Sequence, residues 1–107
     1  MTVHVESRGA HVRVVTIDRP ERRNALDHGT LTELRAALDA APTDTRVLVL
    51  RGEHGHFCAG ADLSGVEDDG FAAELRAVLT GLRAAPFPTI AAVEGAALGA
   101  GTQLAVS

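Results

Sequence analysis

An α/β fold is predicted by three observations. Short β-branched runs alternate with stretches of helical periodicity, turn residues punctuate each change, and 46% of the 107 residues are apolar, enough for one modest core. The order read along the chain is β-β-α-β-loop-α-β-α. Strands alternating with helices in this way imply crossover connections.

Each element has its own local warrant. Val3 and Val5, then Val12, Val14 and Thr16, place β-branched side chains on one face on either side of Gly9, which predicts a hairpin over residues 2–7 and 10–18. Asp18-Arg19-Pro20 ends the second strand, and Glu21 to Asn24 reads as a polar turn. Asp27 is a candidate N-cap, because its carboxylate can accept exposed backbone N–H groups. Leu31, Leu34, Ala37 and Leu38 recur at helical spacing through about Ala40, and Pro42 closes the helix. Arg46 to Arg51 is a short apolar run bounded by charges, expected to be a strand buried on both faces. Residues 52–69 read as a Gly- and Asp-rich loop with a local helical tendency near Leu63. A second amphipathic helix is expected over Gly70 to Ala84, burying Phe71, Leu75, Val78, Leu79 and Leu82. After Pro86 and Pro88, Thr89 to Val93 reads as another buried strand, and Leu98 to Ser107 as a tight entry into a helix.

Composition excludes several function classes. The formal charge is −4, which argues against a nucleic-acid partner, since such proteins carry a basic face. All ten basic residues are Arg; without Lys there is no Schiff-base or Walker-type lysine chemistry in this segment. Cys58 is the only cysteine, so no internal disulfide is expected. No apolar run reaches the roughly 18 residues of a membrane span, and Met1 to Ala10 has no secretory pattern. A cytoplasmic protein with no membrane span is the expectation.

Two loops carry candidate chemistry. In His56-Phe57-Cys58-Ala59-Gly60-Ala61-Asp62-Leu63, small residues after a strand let a ligand approach the main chain, and Asp62 can hold the turn or cap a short helix from Leu63. In Glu94 to Leu104, a strand runs through a Gly-rich turn into a helix whose first N–H groups lack internal partners. One amide from each loop, converging, would make an oxyanion hole for a carbonyl gaining negative charge. Tight packing through small residues is the competing reading of either loop alone. His54-x-His56-x-Cys58 falls short of the four ligands a structural zinc site needs, so no metal is expected. Ser64 lacks a nucleophile elbow and an orienting acid, and Glu67-Asp68-Asp69 reads as a solvated acidic run.

These loops, together with Arg19-Pro20-Glu21-Arg22-Arg23-Asn24-Ala25-Leu26, resemble the crotonase (enoyl-CoA hydratase/isomerase) superfamily. The likeness runs through the opening hairpin, RPERRNAL, VLVLRG, FCAGADL and PTIAAVEGAALGAGTQLA in the family's order. FCAGADLSG with GAGTQLA looks more like mycobacterial-type members than like the well-studied hydratases. The resemblance implies a crotonase-like spiral of ββα units, incomplete in this chain, with residues 1–107 as the N-terminal part of one core domain. It implies an acyl-CoA thioester as partner, with coenzyme A entering as part of the substrate and no covalently bound cofactor. It also implies a homotrimer or a hexamer.

Carried over residue by residue, the resemblance makes the N–H groups of Ala61 and Ala100 the oxyanion donors. Ala59, Gly60, Asp62, Leu63 and Gly99 flank them at the thioester. Backbone groups around Asn24, Ala25 and Leu26 would hold the adenine part, and Arg22 or Arg23 would meet the phosphates. A solvated surface turn is the competing reading of those two arginines. One departure matters: hydratases usually place a catalytic Glu three residues after the second donor, and here that residue is Gln103. A neutral amide can hydrogen-bond a water but cannot take its proton near pH 7. The family's other catalytic Glu would lie beyond Ser107, and the chain reads as truncated. The first expectation is therefore a lyase or isomerase of acyl-CoA metabolism, stabilising a thioester enolate. The alternatives are a non-hydrating acyl-CoA carrier on the same fold and an inactive fragment.

Overall fold

The computed structural model describes residues 2–61 and 70–107. Strands β1 (Val3–Arg8) and β2 (Val12–Ile17) form the antiparallel hairpin, turned at Gly9. A 3-10 turn at Pro20–Arg22 follows, where a polar turn was expected. Helix α1 (His28–Asp39) then crosses to β3 (Val47–Gly52), which pairs parallel to β2. Helix α2 (Gly70–Ala84) leads to β4 (Thr89–Ala92), parallel to β3, and α3 (Ala100–Val106) closes the described chain. The sheet order is β1-β2-β3-β4.

Helix α1 starts where the cap chemistry puts it. Asp27 is extended, and its Oδ1 accepts the Thr30 N–H at 2.8 Å. Glu33, one turn further on, accepts from the Thr2 N–H, the Thr2 hydroxyl and the Val3 N–H, which pins the start of β1 against α1. Leu31, Leu34 and Ala37 turn inward from α1. They meet Val15 and Ile17 of β2, Leu48 and Leu50 of β3, Val78 and Leu82 of α2, and Leu104 of α3 in one core.

Three expectations about burial are corrected. Strand β3 alternates rather than being buried throughout: Leu48, Leu50 and Gly52 are buried, whereas Val47, Val49 and Arg51 are half-buried. Strand β4 is open on one face, with Ile90 52% exposed. The reason is that the core helices all pack on the face carrying Val15, Leu48 and Leu50. Register places Val12, Val14, Val47, Val49 and Ile90 together on the opposite face. The third helix is also shorter than expected. Leu98 stays outside it and 60% exposed, because Gly99 takes φ +51° and ψ −118°, off the helical path. Phe71, Leu75 and Leu79 of α2 pack against the core at its margin rather than being fully buried.

Candidate active site

The chain leaves β3 through a turn at His54 and Gly55, both at positive φ, and re-enters the body as a narrow extended segment from Phe57 to Ala61. That segment is the middle of a small ribbon. On one side, Phe57 N donates to Glu94 O (2.8 Å), Cys58 N to Ala96 O (2.9 Å), and Leu98 N to Cys58 O (3.1 Å). On the other, Ala59 N donates to Arg23 O (3.1 Å) and Leu26 N to Gly60 O (2.7 Å). Both pairings are parallel, Cys58 with Ala97 and Ala61 with Leu26. The three segments singled out in the sequence therefore lie side by side, held by main-chain bonds.

Small residues make this approach workable. Gly60 takes φ +112°, and a Cβ there would come within 3.1 Å of the Leu98 carbonyl oxygen. A Cβ on Gly101 would collide with the Cys58 carbonyl oxygen and side chain, so α3 can lie against the 57–61 segment only through glycine. At the end of the paired stretch comes the N–H of Ala61 and, at the first residue of α3, the N–H of Ala100. Among the described residues neither meets an acceptor. Both residues are half-buried, Gly99 is exposed, and Ala59 is half-buried between its neighbours. Gln103 lies exposed one turn into α3 and lines a groove with Leu79, Arg83, Val106 and Ser107. Asp62, Leu63, Ser64 and the acidic run from Glu67 lie outside the described residues.

The arginine-rich turn divides sharply. Arg22 and Arg23 are exposed on its rim, whereas Arg19, which the sequence reading passed over, is buried. The Arg19 guanidinium donates through Nη1 to Ala25 O at 2.6 Å and lies 3.4 Å through Nη2 from the Asp27 carboxylate. Asn24, Ala25 and Leu26 are all buried. Their N–H groups are already committed, to Arg19 O (2.9 Å), Arg22 O (3.0 Å) and Gly60 O (2.7 Å). The turn thus has no spare amide from these three residues to offer a ligand, and the Ala25 carbonyl is taken by Arg19. Sequence spacing carries no sign of this, because it does not say which peptide groups the fold consumes.

Three other groups resolve simply. Burial pushes the Cys58 thiol up, its contact with the Gly60 carbonyl opposing only in part, so it is not an activated nucleophile. His54 does not join Cys58; its Nε2 lies 3.1 Å from Asp18, whose other oxygen meets His4 Nε2 at 2.9 Å. Those contacts, the His4 hydrogen bond foremost, hold the Asp18 carboxyl below its usual range. His56 keeps Nδ1 buried without a hydrogen-bond partner among the described residues, beside Gly95.

A two-layer α/β unit whose first three motif segments converge on one narrow ribbon defines a distinctive class of fold. The enoyl-CoA hydratase/isomerase family model matches residues 7–107. A probable enoyl-CoA hydratase of Mycobacterium leprae is 45% identical over 89% of this chain, covering 41% of that protein. The human mitochondrial methylglutaconyl-CoA hydratase is 37% identical over 97% of this chain and 33% of its own length. A crystal structure of an enoyl-CoA hydratase from Bacillus anthracis superposes with a TM-score of 0.92 at 30% identity, over 99% of this chain and 45% of that one. The chain belongs to the enoyl-CoA hydratase/isomerase family and has the crotonase fold over the part it covers. It spans less than half the length of these relatives.

Proposed function

We propose that the chain is the N-terminal part of a crotonase-like core domain that binds an acyl-CoA thioester and stabilises its enolate. The N–H groups of Ala61 and Ala100 are the two donors to the thioester oxygen, supported by the ribbon that sets their loops side by side. Gly60 and Gly99 shape the approach, with Ala59, Asp62 and Leu63 completing the thioester pocket. The nucleotide lies against the turn at Asn24, Ala25 and Leu26, while exposed Arg22 and Arg23 meet the phosphates. Coenzyme A enters with the substrate, and no covalently bound cofactor is needed. The working protein is a trimer or hexamer in the cytoplasm.

A second reading, a non-hydrating acyl-CoA carrier, is favoured by Gln103, which cannot act as a base. The two separate in one experiment on the full-length protein: hydration of crotonyl-CoA and of a longer enoyl-CoA, alongside calorimetric titration with the saturated acyl-CoA. Turnover above background removes the carrier reading, and binding without turnover removes the hydratase reading. If turnover is slow, Gln103→Glu raises it by roughly 10²-fold provided the second acid is present, and no gain means that the missing carboxylate is not what limits the protein. No binding of any CoA thioester overturns both.

A further inference from the structure

The Asn24 side chain is 1% exposed and its backbone takes φ +62°, so the residue is held in a conformation few side chains adopt. Its amide makes three hydrogen bonds. Oδ1 accepts the Arg19 N–H at 2.7 Å, while Nδ2 donates to Glu53 O at 2.9 Å and to His56 O at 2.6 Å. The oxygen faces a donor and the nitrogen faces two acceptors, so only one orientation of the amide satisfies the site. The two carbonyls flank the turn at His54 and Gly55, both at positive φ. Asn24 therefore clasps the neck through which β3 runs into the Phe57–Ala61 segment. The residues on either side of Asn24 hold the far end of that segment: Arg23 O takes the Ala59 N–H, and Leu26 N donates to Gly60 O. The segment from Glu53 to Gly60 is fixed at both ends by one short turn, and the next amide is that of Ala61.

We infer that Asn24 is a positioning residue that couples the nucleotide-binding turn to the aim of the Ala61 N–H. The inference rests on the proposed oxyanion role of Ala61. The Asn24 side chain touches no substrate; it acts through the peptide groups of Glu53 and His56. Removing it leaves two part-buried carbonyls unbonded and loosens the near end of the segment, while the main-chain bonds to Arg23 and Leu26 still hold its far end, so the Ala61 amide shifts in aim and the rim arginines stay in place.

The test uses the full-length protein and cinnamoyl-CoA, whose conjugated thioester absorbs at longer wavelength when donors polarise its carbonyl. Wild type at saturation should show that displacement. Asn24→Gly tolerates the positive φ and loses all three bonds; saturated with cinnamoyl-CoA, and folded by circular dichroism, it should lose most of the displacement. Asn24→Asp keeps the acceptor for Arg19 and, when protonated, recovers one donor. Its displacement should return at acidic pH and vanish as the carboxyl ionises, where wild type stays constant, which gives a second reading should the glycine variant not fold. Full displacement in saturated, folded Asn24→Gly, or an Asn24→Asp displacement that does not follow pH, overturns the inference and leaves the oxyanion reading standing. No displacement in wild type overturns the oxyanion reading itself, and this inference with it.

Discussion

Gly101 shows how one residue sets a site. It lets α3 lie against Cys58 where any side chain would strike the Cys58 carbonyl. Gly101→Ala should cost about 1–3 kcal/mol, the usual range for forcing atoms into a packed place. Urea denaturation measures it; an unchanged midpoint would mean that the two segments are not in contact. Asp18 gives a second prediction at this scale. Its carboxyl is held down first by the His4 hydrogen bond and then by His54, so it favours the folded state whenever it is ionised. The stability difference between wild type and Asp18→Asn should be full above about pH 4, the unfolded carboxyl range. It should shrink as pH falls through the lower folded value, and a pH-independent difference in denaturation midpoints would refute it.

At the scale of elements, α1 and the arginine-rich turn are one construction. Asp27 caps the helix through Thr30 N–H and also faces the buried Arg19 guanidinium. Asp27→Ala should lower stability by about 1 kcal/mol from the cap alone. A thermal melt that moved only with salt concentration would point to the ion pair instead. Helix starts and strand runs were legible because they are local: a capping Asp, a 3.6-residue apolar period and prolines act within a few residues. Thus α2 falls on Gly70–Ala84 as expected, and α1 one residue after its cap. The end of β4 and the start of α3 were less legible, because Gly99 turns the chain by a backbone angle that composition does not specify.

For the molecule as a whole, the decisive asymmetry is that the core lies on one face of the sheet. Phe57, fully buried, joins the site's middle segment to that core. Phe57→Ala should therefore cost about 3–5 kcal/mol in chemical denaturation and disturb ligand binding together with stability.

The sequence by itself determined the alternation of strands and helices, the family, and the three segments where chemistry could sit, since all three depend on neighbours in the chain. Only the tertiary structure decided which peptide groups remain available. The amides of Asn24, Ala25 and Leu26 are consumed within the fold, and the Asn24 side chain is spent on carbonyls about thirty residues away. A hydrogen bond between distant segments is set by how they pack, and a linear pattern carries no record of which donor meets which acceptor.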